Sequence, residues 1–129
     1  MSADQDVLAF AERFMGAIHA GDTEAVRTYY APDAKLWHNT DGLEQTVDQN
    51  MKALDWFTRK LPDRNYRVLR REALPDGFLQ QHVLEATLPD GRPFKLSACC
   101  VFRMQDGLIV RLEEYLDSAE TVVLQELGR

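Results

Sequence analysis

Cysteine is almost absent from this sequence, basic residues are in deficit, and no long hydrophobic run occurs. The 129 residues include only two cysteines, Cys99 and Cys100, adjacent in a strand-like segment. Neighbours in a strand point to opposite faces, so the pair cannot bridge itself and a disulfide framework is excluded. Such sparing use fits a reducing cytoplasm, and both are expected as small buried hydrophobes rather than nucleophiles. No apolar stretch approaches the roughly 18 residues of a membrane span, which argues against a membrane role. The acidic start, Met1 to Asp6, lacks the basic and apolar regions of a secretory leader. Lys and Arg number 15 against 21 Asp and Glu, a net charge of −6, so the basic stripe that nucleic acid or an anionic membrane would need is missing. The one local cluster, Arg64, Arg67, Arg70 and Arg71, is flanked by Asp63 and Glu72. Strand periodicity scatters it over both faces, and a solvated edge is expected.

What is present suits one domain spanning residues 1–129, with a core over about 6–124. Ser2 and Gln5 have capping-box spacing. Val7, Leu8, Ala11, Phe14, Met15 and Ile18 follow on one helical face, and Gly21 ends that helix. Asp22 caps a second helix running to about Tyr30, broken by Ala31-Pro32-Asp33. Ala34 to His38 reads as a short strand, Asn39 to Glu44 as a polar loop, and Thr46 to Lys60 as a third helix that Pro62 closes. From Tyr66 the pattern changes to strands: Tyr66–Leu74, Phe78–Leu88, Phe94–Met104 and Leu108–Asp117. The turns Pro75-Asp76-Gly77, Pro89-Asp90-Gly91 and Gln105-Asp106-Gly107 join them as hairpins. Helices first and antiparallel strands after make an α+β layer design. Phe94–Met104 is apolar on both faces, with Cys99 and Val101 opposite Phe94, Leu96, Ala98, Cys100 and Phe102. Its second face is expected to be covered by a homodimer through the open sheet.

This element order resembles the NTF2-like superfamily, which includes SnoaL-like polyketide cyclases, ketosteroid isomerases, limonene epoxide hydrolases and scytalone dehydratases. The likeness rests on Ala20-Gly21-Asp22, Tyr30-Ala31-Pro32-Asp33-Ala34, Asp106-Gly107-Leu108-Ile109 and Glu114-Tyr115-Leu116-Asp117. It implies a cone-shaped, cystatin-like fold. Three N-terminal helices would pack on a curved, mostly antiparallel sheet around an apolar pocket, often in a dimer. Phe14 and Cys100 stand where the isomerases place a tyrosine and an acid, and His38 stands at the isomerase base. Gln80 and His82 occupy the place of the epoxide hydrolase Arg-x-Asp pair. Asp117 matches that enzyme's second aspartate.

The resemblance thus makes His38, His82 and Asp117 the candidate catalytic set near one mouth of the cone. A carboxylate beside an imidazole fixes its tautomer and stabilises its protonated form, and histidine exchanges protons near neutral pH. Phe14, Tyr30, Trp37, Trp56 and Phe57 would line an apolar wall, with Asn39, Gln80 and Tyr115 orienting a ligand and Cys100 close by. The chemistry expected is cofactor-independent proton transfer on a hydrophobic ring-bearing molecule: isomerisation, cyclisation or dehydration. A ligand-binding or dimeric interaction module on the same fold is the alternative. Each residue also has a plainer role. Asp117 before Ser-Ala-Glu is good N-cap grammar, and either histidine could be a hydrogen-bonded core residue. No ligand spacing supports a metal site, and none is expected.

Overall fold

The computed structural model describes residues 2–127. Met1, Gly128 and Arg129, counted above within the domain, lie outside the described residues. The capping box forms as its spacing implies, with Gln5 N–H donating to Ser2 Oγ and Ser2 N–H to Gln5 Oε1, and opens α1, Ala3–Ala20. Gly21 ends α1 at φ 70°, where an added Cβ would lie 2.7 Å from Thr58 Oγ1. Asp22 caps α2, Thr23–Arg27, which stops short of the expected Tyr30. The strand β1 then begins at Tyr30 and runs to His38, straight through Pro32. Proline has no N–H for a ladder, and the β1 register is irregular between Tyr30 and Lys35. A strand thus accommodates the residues expected only to break a helix.

A two-residue strand, β2 (Glu44–Gln45), comes next and was not expected. It is followed by α3, Val47–Lys60, opened by a second capping box between Thr46 and Gln49. The remaining strands are β3 (Asn65–Leu74), β4 (Gly77–Thr87), β5 (Pro93–Gln105) and β6 (Leu108–Leu116), and α4 (Ser118–Leu127) follows them. The sheet order is β2-β1-β6-β5-β4-β3. Every pair is antiparallel except β1 with β6, which is parallel. Among the described residues the result is an α+β fold with a curved six-stranded, mostly antiparallel sheet and four helices. No helix among the described residues is long and apolar enough to cross a membrane.

Two bulges decide which side chains face the helices. In β3 the register jumps between Val68 and Arg70, which sets Arg71 opposite Gln80. In β6 it jumps at Val110, between Ile109, paired with Met104, and Arg111, paired with Arg103. A bulge inserts one residue and reverses the facing of all that follow. Ile109 and Leu112 are therefore both buried, and Glu114 and Leu116 share the inner face with Leu112. Unbroken alternation from Ile109 would have turned Tyr115 and Asp117 inward instead.

Two apolar clusters cover the inner face. One joins α1, α3 and the sheet through Phe14, Phe78 and Phe102, with the latter two stacked at 4.4 Å. The other joins Leu61, Leu84, Leu88, Phe94 and Leu96 to Val123, Leu124 and Leu127 of α4. The arginine cluster does not form a uniformly solvated edge. Arg67 and Arg70 pair with Glu85 and Glu72, but Arg64 is buried, donating through Nη2 to the Ile18 and His19 carbonyls at the end of α1. Carbonyls of a last helical turn run short of N–H partners, so the cation settles there beside the Gly21 N–H that Ile18 also accepts, and the bulge draws Arg71 inward. At Gly77, opposite β5, an added Cβ would sit 1.8 Å from Phe102 O. Gly77→Ala is therefore expected to destabilise the fold by about 2 kcal/mol or more, read as a lowered urea midpoint with the slope unchanged.

Candidate functional site

The bulges align one row of polar side chains across the inner face of five strands. Arg71 of β3 pairs with Gln80 of β4, Gln80 with Cys100 of β5, Cys100 with Glu114 of β6, and Glu114 with His38 of β1. Above the row, between the two apolar clusters, lies a cavity of about 290 Å³. Phe14, Tyr30, Leu54, Phe57, Leu84 and Leu96 form much of its wall, and Thr121 and Leu124 of α4 complete it. Its polar lining includes His38, His82, Cys100 and Glu114.

His38 Nε2 lies 3.1 Å from Glu114 Oε1, with only 14% and 21% of the two side chains exposed. The other carboxylate oxygen, Oε2, accepts from the Cys100 thiol at 3.3 Å. The hydrogen bond to Glu114 raises the His38 pKa, outweighing burial. Burial pushes the Glu114 carboxyl up, but the bonds from His38 and Cys100 more than reverse it and the net shift is downward. Burial also drives the Cys100 thiol well up, with Glu114 adding to the effect, so it stays protonated as a donor. His82 moves the other way from His38: burial and Arg71 lower it, against an opposing pull from Glu114. Its Nδ1 is 2.9 Å from Gln80 Nε2, and its ring meets the edge of Tyr66 at 5.4 Å. Burial pushes the Tyr66 phenol up to about 12. Two imidazoles thus line one cavity with their pKa values shifted in opposite directions.

The candidate residues fall on several sides of this geometry. His38 and His82 line the cavity, as do Phe14, Tyr30 and Cys100. Asp117 does not. Its Oδ1 accepts from Ala119 and Glu120 N–H at 2.9 and 3.2 Å, which makes it the N-cap of α4. The carboxylates that line the cavity are Glu114, three residues earlier, and Asp41 in the loop after β1. Gln80 is fully buried behind His82 and reaches the cavity only through it. Asn39 is bonded to both the N–H and the C=O of Leu116, clamping the ends of β1 and β6 beside His38. Trp37 and Tyr115 pack edge to face at 5.3 Å outside the cavity lining. Trp56 packs on Phe57 and is not itself part of the wall. Among the described residues no group of three or more His, Cys, Asp or Glu side chains is placed to hold a metal.

A family model for the SnoaL-like domain matches residues 11–112. The chain belongs to the SnoaL-like family. Solved structures share its fold at low identity. One is AclR of Streptomyces galilaeus, called a candidate hydroxylase, with 17% identity, 98% of this chain and 87% of that chain covered, and a TM-score of 0.83. A second is wild-type IdmH of Streptomyces antibioticus, called a candidate polyketide cyclase, with 22% identity, 99% and 100% covered, and a TM-score of 0.77. A third, from Catenulispora acidiphila, has a ketosteroid isomerase-like fold and was solved with trimethylamine; it shows 13% identity, 88% and 89% coverage, and a TM-score of 0.75. No curated protein matches the chain.

The charge pair has a definite pH window. A raised His38 contributes stability fully below the ordinary imidazole value of 6.5, lost as pH climbs through the raised value. A lowered Glu114 contributes above the ordinary 4.5, lost as pH falls through the lowered value. In Glu114→Gln the His38 pKa should fall, because burial then acts without its main opponent; an NMR titration of the ring C–H protons reads this. Asp117→Ala should leave that titration unmoved while costing about 1 kcal/mol as a lost helix cap. Its thermal midpoint measures the cost.

Proposed function

We propose that this SnoaL-like chain, acting as one domain in a reducing cytoplasm, is a cofactor-independent enzyme. It moves a proton on a small hydrophobic, ring-bearing molecule held between the helices and the curved sheet, with His38 and Glu114 as the working base. The observation that carries this reading is a histidine–carboxylate ion pair opening into a mostly apolar cavity. Glu114 holds Nε2, so Nδ1 is the ring nitrogen left to take a proton, and the carboxylate stabilises the imidazolium that forms. Apolar walls exclude water and strengthen every charge interaction inside. The chemistry suits isomerisation, dehydration or cyclisation, and the cyclase name borne by IdmH favours the last. Asp117 stands outside this scheme as a helix cap.

Hydrogen–deuterium exchange at the carbon next to the carbonyl of hydrophobic cyclic ketones, followed by NMR in D2O, tests the proposal without knowledge of the natural substrate. The exchange rate should rise with pH through the raised His38 value, since the neutral ring is the base. His38→Ala and Glu114→Gln should each reduce it by about 100-fold or more, and Asp117→Asn should leave it unchanged. Equal rates in all four proteins would overturn the assignment.

We also propose that two copies meet through the outer sheet face. Tyr115 is 49% exposed there beside Trp37, and Cys99 and Val101 lie half-buried on the same side of β5. Covering such a face removes apolar surface from water. Val101→Glu should convert a dimer to a monomer in light scattering while the amide spectrum keeps its dispersion.

A further inference from the structure

The sequence Gln80-Gln81-His82 puts two polar side chains on one buried face of β4, and their partners determine what each can do. Arg71 Nε lies 2.9 Å from the Gln80 amide. A guanidinium only donates, so the atom it meets must be the Gln80 oxygen. The Gln80 nitrogen is then fixed on the opposite side, 2.9 Å from His82 Nδ1. An amide nitrogen also only donates, so Nδ1 must accept and cannot carry a proton. A doubly protonated ring would set two donors face to face inside the protein, which is costly. The proton of the ring therefore sits on Nε2. Among the described residues that nitrogen has no protein partner, yet it is not sealed in the interior; the ring lines the cavity.

We infer that Arg71 and Gln80 are positioning residues that lock His82 as a neutral Nε2–H donor, so that the cavity receives a hydrogen-bond acceptor there. A carbonyl oxygen, or the enolate oxygen it becomes when a neighbouring C–H is lost, is the group that fits. The catalytic meaning rests on the proposed acid–base reading, in which the His38–Glu114 pair withdraws the proton; the lock itself does not. The charged groups bearing on the ring are Arg71 from β3, which opposes a second cation, and Glu114 from β6, which favours one. The Tyr66 ring from β3 packs against it. Gln81 cannot substitute for Gln80, because it points to the other face of β4, paired with Cys99.

Arg71 is only partly buried, so its variants are the ones to use. Long-range proton–nitrogen correlation on the full chain, labelled with 15N-histidine, reads the His82 tautomer at pH 7 without any turnover. Wild type should show one neutral form with its proton on Nε2. In Arg71→Met the amide is free to turn over, and a second population with the proton on Nδ1 should appear. Arg71→Gln replaces the donor-only group with an amide that can donate or accept; it should show the same mixture, and it supplies the reading if the methionine variant fails to fold. A wild-type ring protonated on Nδ1 or on both nitrogens, or either folded variant matching wild type, would overturn the lock. If the lock holds while His38→Ala exchanges ketone protons as fast as wild type, the acid–base reading fails and the tautomer assignment stands.

Discussion

Polar atoms buried beneath the cavity must satisfy one another, and this requirement organises the inner face of the sheet. Arg71 donates to Gln80, Gln80 to His82, Cys100 to Glu114, and His38 shares a charged contact with the same carboxylate. Apart from Gln80 and His82, which are both on β4, the bonded groups lie on different strands, so those bonds exist only in the observed register. A one-residue slip of any strand would turn one member outward and leave its partner in apolar surroundings without a bond. The row therefore specifies strand alignment as well as chemistry. Such double use is familiar where polar residues are retained in a core, although they add little net stability.

The bulges make the row possible. Without the irregularity in β3, Arg70 rather than Arg71 would stand opposite Gln80. Without the one in β6, Glu113 and Tyr115 would face inward and Glu114 outward. The extra residue in β6 turns Glu114 toward the cavity while keeping Ile109 and Leu112 in the core, and the one in β3 sets Arg71 opposite Gln80.

Much of the architecture was legible from local signals. The box at Ser2/Gln5, the stop at Gly21 and the hairpin turns act over a few residues, and the elements they mark lie where expected. The start of β1 was missed because proline was read as a helix stop, whereas here it sits where the strand's register is irregular. The strand β2 was missed because two residues carry no periodicity. Among the site residues, His38 and His82 were reached through the family resemblance, which sets them where relatives place acids. Glu114 escaped notice because the family likeness drew attention to Asp117, and because a bulge leaves no clear mark in composition. One clue was available: the run Leu112-Glu113-Glu114-Tyr115-Leu116 puts Glu114 on the same face as two leucines. Arg71 was hidden in the same way, as one of several arginines in an apparently solvated stretch.

The thiol on Glu114 bears on how the protein should be handled at the bench. Exchanging cysteines for serines is routine before fluorophore labelling or storage, and Cys99, on the other face of β5, should accept the change quietly. Cys100 is a different matter. Oxygen is smaller than sulfur and a stronger donor, and hydroxyl–oxygen bonds run about 0.5 Å shorter than the thiol contact seen here. A serine would either stretch that contact or tug the carboxylate off its alignment with the imidazole. Alanine would leave Oε2 without its donor. A cysteine-free preparation would thus be a chemically altered one, and kinetic or spectroscopic work on it would describe a different site.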